Sequence, residues 1–305
     1  MSAPSLMGCR IFPPDNPWNQ DVSALAVSAM SATYIAHMAP TTHVHPDWGD
    51  FTMDHYGIPW TAGTGAPPVA FHWTTSWGDG ESDMLACTGG GGNFCYPIPT
   101  TAPIEGGPGA DTGDDRHVLY VDTSGAPNDC TLYEIYNAQN FTGAPWNAGN
   151  GAIFHLGTNM LRPDQWTSAD AAGLPILPGL VRYDEVMAGS IHHAMRVTMN
   201  HTQNGFIHPA THAAGDTDPN LPPMGLRLRL SASFDTSPYS GPALVILQAM
   251  QRFGLIVADN GSDWYVTGDS DDRWNTIIDS ILSALNHVHG SDFEVVDTGP
   301  ITAQM

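Results

Sequence analysis

Short runs of hydrophobic residues, many of them alternating with polar residues, are the main pattern along this chain. Runs of this length, rich in β-branched and aromatic residues and bounded by Gly, Pro, Asn or Asp, are typical of β-strands. They predict strands at 69–74, around Tyr96, at 117–123, 131–138, 151–156, 192–199, 206–210 and 225–232, and in three short stretches after residue 253. The turn-rich segment between 117–123 and 131–138 predicts a β-hairpin. The alternation of Leu and Arg within 225–232 predicts a strand with one buried face and one polar face.

Three segments instead place apolar residues at the spacing of an amphipathic helix. They are 23–38, 242–254 and 273–288. No internal repeat and no linker-like change of composition divides the chain, so we predict a single domain over 1–305. Within it, residues 1–100, rich in Pro and aromatic side chains, would form an irregular wrap around a main β core at 101–305. We therefore expect a mostly β fold with a β-sandwich or barrel-like core, long Pro- and Gly-rich loops and two or three helices.

The composition also favours a fold made mainly of strands and loops. Of the 31 acidic residues 26 are Asp and five are Glu, and all nine basic residues are Arg. Lys and Glu favour helices, whereas Asp favours turns and helix caps. The net charge of −22 would repel nucleic acids and anionic membranes, so we expect neither as a partner. Because the chain has no Lys, Schiff-base and pyridoxal chemistry are excluded.

Four cysteines bear on the compartment: Cys9, Cys87, Cys95 and Cys130. An even number of cysteines in a loop-rich chain is typical of an oxidising compartment, and three pairings are possible. Cys87 and Cys95 flank a Gly-rich stretch that would close easily, so we favour Cys87–Cys95 together with Cys9–Cys130. A thiolate metal site is the alternative, but no C-x-x-C spacing supports it. We therefore expect a secreted protein whose signal peptide has been removed.

Carboxylates are the first candidates for chemistry. Hydrolysis of a glycosidic bond uses two of them, one protonated as an acid and one ionised as a base or nucleophile, about 5–9.5 Å apart. The candidate catalytic residues are Glu185, Asp184, Glu105 and Asp259, which lie on, beside or at the end of predicted strands. Burial among apolar neighbours would raise the pKa of such a group, as an acid catalyst requires. We expect Glu185 or Asp184 to line the main cavity; the alternative for each carboxylate is a solvent-facing or turn-capping role.

Aromatic and polar side chains in loops are candidates for substrate binding. Flat rings pack against sugar faces, and loops carry binding sites more often than cores do. Trp48 and Trp166 lie close to Asp, Gly or Pro and therefore in predicted loops. Together with His117, Arg116 and His193 they form the candidate substrate-binding set. The alternative is that the aromatic residues fill the core.

Histidine is frequent, with 14 in the chain. His45, Asp47 and His212 are candidate ligands of a divalent metal (Zn, Cu or Ca) assembled from distant segments. We also expect His45, His117 and His193 to converge in space. No metalloprotease motif is present, and the alternative is that the histidines are hydrogen-bonded structural residues. Apart from such a metal, no cofactor is expected.

Several segments resemble a group of secreted bacterial proteins that have no assigned activity. The segments are IFPPDNPWN (11–19), APIEGG (102–107), DRHVLYVD (115–122), WTSADAAGLPILPGLVRYDEV (166–186), PPMGLRLRL (222–230) and ADNGSDWY (258–265). The resemblance covers most of the chain. It implies export and one coherent domain, and it brings no reaction and no site residue with it.

Three classes of function follow from these observations. The first is a secreted carbohydrate-active enzyme, a glycoside hydrolase that uses paired carboxylates in an aromatic cleft on a polysaccharide or oligosaccharide. The second is a hydrolase or oxidase that depends on a metal held by His and Asp. The third is an extracellular binding or structural module without catalytic activity. The sequence leaves the substrate, the stereochemical outcome and the oligomeric state open.

Overall fold

The structure, a computed structural model, describes residues 3–87, 94–107, 115–139 and 145–305. Its strands in chain order are β1 (Ser5–Leu6), β2 (Cys9–Arg10), β3 (His45–Asp47), β4 (Trp60–Gly63), β5 (Val69–Trp73), β6 (Phe94–Tyr96), β7 (Val118–Asp122), β8 (Thr131–Tyr136), β9 (Trp146–Ala148), β10 (Asn150–His155), β11 (Met195–Met199), β12 (Gly205–Phe206), β13 (Arg227–Leu230), β14 (Leu255–Asn260), β15 (Tyr265–Thr267), β16 (Phe293–Val296) and β17 (Thr302–Ala303). The α-helices are α1 (Ser31–Ala36), α2 (Gly78–Glu81), α3 (Tyr183–Ala188), α4 (Gly241–Arg252) and α5 (Ile278–Leu285), and short 3-10 helices span Pro17–Asn19, Leu177–Gly179, Asp272–Thr276 and Gly290–Asp292.

Two large sheets dominate the described residues. One has six strands in the order β16-β13-β14-β11-β15-β3, and the other has four in the order β10-β8-β7-β4. A three-stranded sheet, β6-β5-β9, and the pairs β1-β2 and β12-β17 are smaller. The fold is thus a β-rich single domain, as predicted, and in the described residues the sheets do not close into a barrel. The predicted hairpin is present, because β7 and β8 pair antiparallel from Val118–Ile135 to Asp122–Thr131.

The N-terminal third of the chain belongs to the core. β3 forms the edge of the six-stranded sheet by pairing parallel with β15, and β4 does the same in the four-stranded sheet by pairing parallel with β7. Ile11 and Trp18 lie in the same buried cluster as Val197 and Leu228. Segments of the first 100 residues are therefore part of both large sheets, and the described part of this region is more than an irregular wrap.

The helix predicted at 23–38 is shorter than expected. Only Ser31–Ala36 is helical, because the preceding residues pair with β16 instead. Val27 forms a bridge with Val296, and the Ser28 amide donates to the carbonyl of Val295 at 2.8 Å. The helices predicted at 242–254 and 273–288 are present as α4 and α5, the second shortened by a 3-10 turn before it.

The arginines of β13 correct the expected exposure of that strand. All four of its residues are buried, and neither Arg227 nor Arg229 faces solvent. Arg227 donates to the carbonyls of Pro17 and Phe253, while Arg229 pairs with Glu294 at 2.7 Å. The alternation is real, but the N-terminal segment covers the polar face and satisfies the guanidinium groups with backbone carbonyls.

Both expected disulfides are present. Cys9 is bonded to Cys130 and Cys87 to Cys95, and the described residues contain no free cysteine. The first bond ties the N-terminal pair β1-β2 to the start of β8. Among the helices of the described ranges, none is both long enough and apolar enough to cross a membrane.

Candidate functional site

A cavity of about 250 Å³ lies where the C-terminal ends of β8 and β14 meet the segment 167–171. Its wall includes Trp77, Asp115, Tyr136, Thr167, His212 and Asp259. Tyr136 is the last residue of β8, and Trp77 immediately precedes α2. Aromatic rings and carboxyl groups from four separate parts of the chain thus face one enclosed space.

A β-bulge places Asp259 at the end of β14. In the pairing with β11, Val197 opposes Val257 but Thr198 opposes Asp259, so Ala258 is the extra residue. A bulge turns the side chains that follow it away from the regular alternation and is common beside active sites. Asp259 is half-buried and reaches the cavity wall.

The segment opposite Asp259 is held by backbone hydrogen bonds to buried side chains. The Glu134 carboxylate accepts from the amides of Ile176 and Leu177 at 2.9–3.0 Å, and the Asn150 side chain donates to the carbonyl of Ser168 at 2.8 Å. Burial raises the pKa of Glu134 to about 7, although its two amide partners oppose the shift. These contacts fix the wall of the cavity to the four-stranded sheet.

Glycine is required within this segment. Gly173 has φ of +71°, a left-handed conformation that residues with a side chain rarely adopt. A Cβ atom there would also lie 2.6 Å from the carbonyl oxygen of Trp166. The turn that presents residues 167–171 to the cavity therefore depends on this glycine.

Behind the cavity, one arginine contacts two carboxyl groups. Arg196 of β11 donates to both oxygens of Asp170, at 2.9 and 3.2 Å, and to Asp259 at 3.4 Å. The other terminal nitrogen of Arg196, Nη1, donates to the Thr267 hydroxyl at 2.8 Å. Asp170 and Arg196 are fully buried, so this bidentate pair forms a fixed floor from which Asp259 projects.

The surroundings of Asp259 raise its pKa. Asp259 and Asp170 both accept from Arg196, which brings the two carboxyl groups close together. Burial, and then the charge of Asp170, raise the pKa of Asp259 well above its usual range, while Arg196 opposes the shift. The raised pKa favours the protonated form of Asp259, as an acid catalyst requires.

A second carboxylate and two rings complete the cavity. The Trp77 and Tyr136 rings meet edge to face with centroids 6.2 Å apart. Burial raises the pKa of Tyr136, and the charges of Asp115 and Asp259 raise it further, so both carboxyl groups lie near its hydroxyl. Asp115 is exposed, whereas Asp259 is half-buried and has a raised pKa. The site therefore offers two carboxyl groups in different surroundings beside aromatic surfaces.

Comparison with known proteins adds nothing to this geometry. No family model, curated protein or solved structure matches the chain. The chemistry of the cavity therefore follows from its own side chains.

Two of the predicted catalytic residues lie elsewhere. Glu185 and Asp184 are in the first turn of α3, not at a strand end, and neither lines this cavity. Glu185 bonds Arg182 at 2.8 Å and His193 at 3.0 Å. Burial alone would raise the pKa of Glu185, but the charge of Arg182 and the contact with His193 lower it to about 2. Asp184 is exposed and pairs with Arg273 at 2.7 Å. Both are suited to structural ion pairs, and an acid with so low a pKa is unsuited to donate a proton.

Glu105 and His117 form a buried pair near the cavity floor. The Glu105 carboxylate accepts from Nδ1 of His117 at 2.6 Å, and Nε2 of His117 donates to the Ala169 carbonyl at 2.9 Å. Burial would lower the pKa of His117, but Glu105 raises it to about 10, so both ring nitrogens donate. The neighbouring Arg116 is buried and donates to the carbonyls of Ala138 and Gly107. These three residues support the wall and do not line the cavity.

The predicted substrate-binding residues Trp48 and His193 are buried. Trp48 is fully enclosed in the core and packs on Trp274 with centroids 5.5 Å apart. His193 is also fully enclosed, between Glu185 and backbone. Trp166 is half-buried beneath the guanidinium of Arg162, at 5.8 Å. The proximity of Gly and Asp in the sequence did not indicate exposure, because long loops here are themselves packed.

The predicted metal ligands do not form a metal site. Within the described ranges, no three His, Cys, Asp or Glu side chains are placed to hold one ion. His45 bonds the Tyr56 hydroxyl at 3.0 Å and stacks on Tyr265, and Asp47 also bonds Tyr56. His212 lies across the cavity with Nδ1 against a backbone carbonyl at 2.7 Å. Each of these side chains therefore already bonds another group of the protein.

The three histidines that we expected to converge bond three different side chains. His45 contacts Tyr56, His117 contacts Glu105, and His193 contacts Glu185. The partners come from different parts of the chain, and among the described residues the three imidazoles have none in common. Each histidine serves as a structural hydrogen-bonding residue in its own location.

Sequence reasoning placed Asp259 among the candidates but missed its partners, Asp170 and Arg196. One signal was available for them. Arg196 is a single cation in the mostly apolar strand β11, and a buried charge of this kind is commonly paired with a carboxylate. The pattern did not indicate which carboxylate would meet it.

Proposed function

We propose that this protein hydrolyses glycosidic bonds in the cavity between β8 and β14. Asp259 would protonate the leaving oxygen, and Asp115 would act as the base or nucleophile on the other side of the bond. Trp77 and Tyr136 would pack against the sugar. The proposal needs no cofactor and no partner beyond an oligosaccharide or polysaccharide.

The observation that carries the proposal is the different surroundings of two carboxyl groups in one aromatic cavity. Acid catalysis of this reaction needs a carboxyl group that keeps its proton near working pH, together with a second that is ionised. Asp259 has a raised pKa because of burial and of Asp170, and Asp115 is exposed to solvent. The charge of Asp115 reaches Asp259, since it contributes to the raised pKa of that group.

The size of the cavity limits what it would hold. Pockets for drug-sized ligands have volumes of about 300–1,000 Å³, and this one has about 250 Å³. That volume suits a single sugar ring more than an extended chain. We therefore propose attack at or near the end of a saccharide, with the remainder of the chain outside the cavity.

An extracellular location is part of the same proposal. The two disulfides are compatible with an oxidising compartment. Polysaccharides are substrates that an exported enzyme would meet.

The test is release of reducing ends from a panel of oligosaccharides by the wild-type protein and by Asp259→Asn. The variant keeps the shape of the side chain but cannot donate a proton to the leaving group. We expect hydrolysis to fall by at least about 10²-fold, the usual contribution of acid catalysis. Asp122→Asn is the matched control, because Asp122 also ends a strand but does not line the cavity. Full activity in Asp259→Asn, or no hydrolysis of any saccharide by the wild type, would contradict the proposal.

A further inference from the structure

The cavity presents negative charge and aromatic rings to whatever it holds. Its described wall contains the carboxyl groups of Asp115 and Asp259, and no arginine belongs to that wall. The rings of Trp77 and Tyr136 add their electron-rich faces. His212 is also present, with one ring nitrogen already bonded to a backbone carbonyl.

Arg196 does not offset this charge. Arg196 lies behind the cavity, buried, and both oxygens of Asp170 accept from it. The positive charge of Arg196 is therefore already paired with the Asp170 carboxylate. Asp115, in contrast, is exposed at the cavity wall, and its charge also acts on the buried His117. The net charge of −22 adds to the negative potential that a cleft concentrates.

Resting on the proposed hydrolysis, we propose that the preferred substrate is an amino-sugar oligomer with free, protonated amines, of the glucosamine type. In such a sugar the amine is on the carbon next to the anomeric carbon. The carboxylate that serves the anomeric carbon, Asp115, would then lie beside the ammonium group. Trp77 would offer the same cation an aromatic face. Uronic acids and phosphorylated sugars would be repelled, since the described wall has no cation to receive them.

The test compares binding of glucosamine oligomers with binding of N-acetylglucosamine oligomers of equal length. Acetylation removes the charge and keeps the ring, so the pair isolates the contribution of the amine. By titration calorimetry we expect the free-amine oligomer to bind at least about tenfold more tightly, with the ratio falling as salt screens the charges. Equal binding of the two oligomers would overturn the inference.

Two variants test which carboxyl group causes the difference in affinity between the two oligomers. Asp115→Asn should bring the ratio of the two affinities close to one, because it removes this carboxylate. Asp122→Asn should leave the ratio unchanged, because Asp122 ends β7 and does not line the cavity. A ratio that Asp115→Asn does not alter would overturn the assignment to this carboxylate.

Failure of this inference is distinguishable from failure of the proposed hydrolysis. Hydrolysis of neutral saccharides that depends on Asp259, without any preference for free amines in binding, would overturn the inference alone. Tight binding of glucosamine oligomers that are never cleaved would overturn the hydrolysis and leave the charge preference standing.

Discussion

Glu134 predicts a specific dependence of stability on pH. This carboxyl group is fully buried and has a pKa of about 7 in the folded protein, against an ordinary value of 4.5. A folded-state pKa above the unfolded one means that the folded protein binds the proton more tightly. Its contribution to stability is therefore complete below about pH 4.5 and is lost as the pH rises through about 7.

The magnitude follows from the difference between the two pKa values. Each pKa unit corresponds to about 1.4 kcal/mol, so the rise from 4.5 to about 7 represents about 3 kcal/mol of unfolding free energy. Glu134→Gln cannot ionise and keeps an oxygen for the amides of Ile176 and Leu177. Relative to this variant, the wild type should lose about 3 kcal/mol between about pH 4.5 and about pH 8.

Urea unfolding, followed by tryptophan fluorescence at a series of pH values, measures this difference. Comparing wild type with variant cancels the contributions of Asp259 and Asp269, whose raised pKa values are common to both proteins. Glu185→Gln is the control, because the pKa of Glu185 is shifted in the opposite direction. Because the pKa of Glu185 is lowered to about 2, that variant should differ from wild type by a constant amount above about pH 5. If the wild-type and Glu134→Gln stabilities run parallel over the whole range, the assignment of a raised pKa to Glu134 is wrong.

Three further predictions concern the floor of the cavity, the disulfides and the aromatic wall. Asp170→Asn should destabilise the fold by about 3–5 kcal/mol, since it leaves buried Arg196 without its two-point partner. It should also shift the alkaline limit of hydrolysis to lower pH, because the charge of Asp170 contributes to the raised pKa of Asp259, and an unchanged pH profile would refute that contribution. Replacing both Cys9 and Cys130 by Ala should lower the unfolding free energy by about 4 kcal/mol, because the bond closes a loop with a sequence separation of 121. Urea unfolding measures this difference, and a change below about 1 kcal/mol would contradict the prediction. Trp77→Ala should weaken saccharide binding by at least about tenfold, as calorimetry would show. It should also lower the unfolding free energy by about 1 kcal/mol, because half-buried Trp77 packs against Tyr136; unaltered affinity would exclude Trp77 from the site.

Local patterns predicted much of the fold. The hairpin of β7 and β8 followed from two β-rich runs and a turn between them, and the two disulfides followed from the number and spacing of the cysteines. These features depend on short stretches of chain. The predictions failed where a distant segment decided the outcome, as in residues 23–30, which pair with β16 instead of forming a helix.

The candidate site was predictable only in part, for a similar reason. An acid at the end of an apolar strand indicated Asp259, and that information is local. Whether an acid keeps its proton depends on which charges lie beside it in space. Glu185 looked equally suitable in the sequence, but Arg182 and His193 surround it and lower its pKa. Asp259 instead lies beside Asp170, which is 89 positions earlier in the sequence, and no local sequence pattern indicates that the two are close in space.

The most direct test of the central claim is a crystal structure of the Asp259→Asn variant with a bound oligosaccharide. The variant should hold an uncleaved substrate, with a sugar ring against Trp77 in the cavity. The glycosidic oxygen should lie about 2.6–3.2 Å from the side chain at position 259, within reach of proton transfer, and Asp115 should face the anomeric carbon. An oligosaccharide bound at another surface, or a glycosidic oxygen out of reach of position 259, would contradict the assignment of Asp259 as the acid.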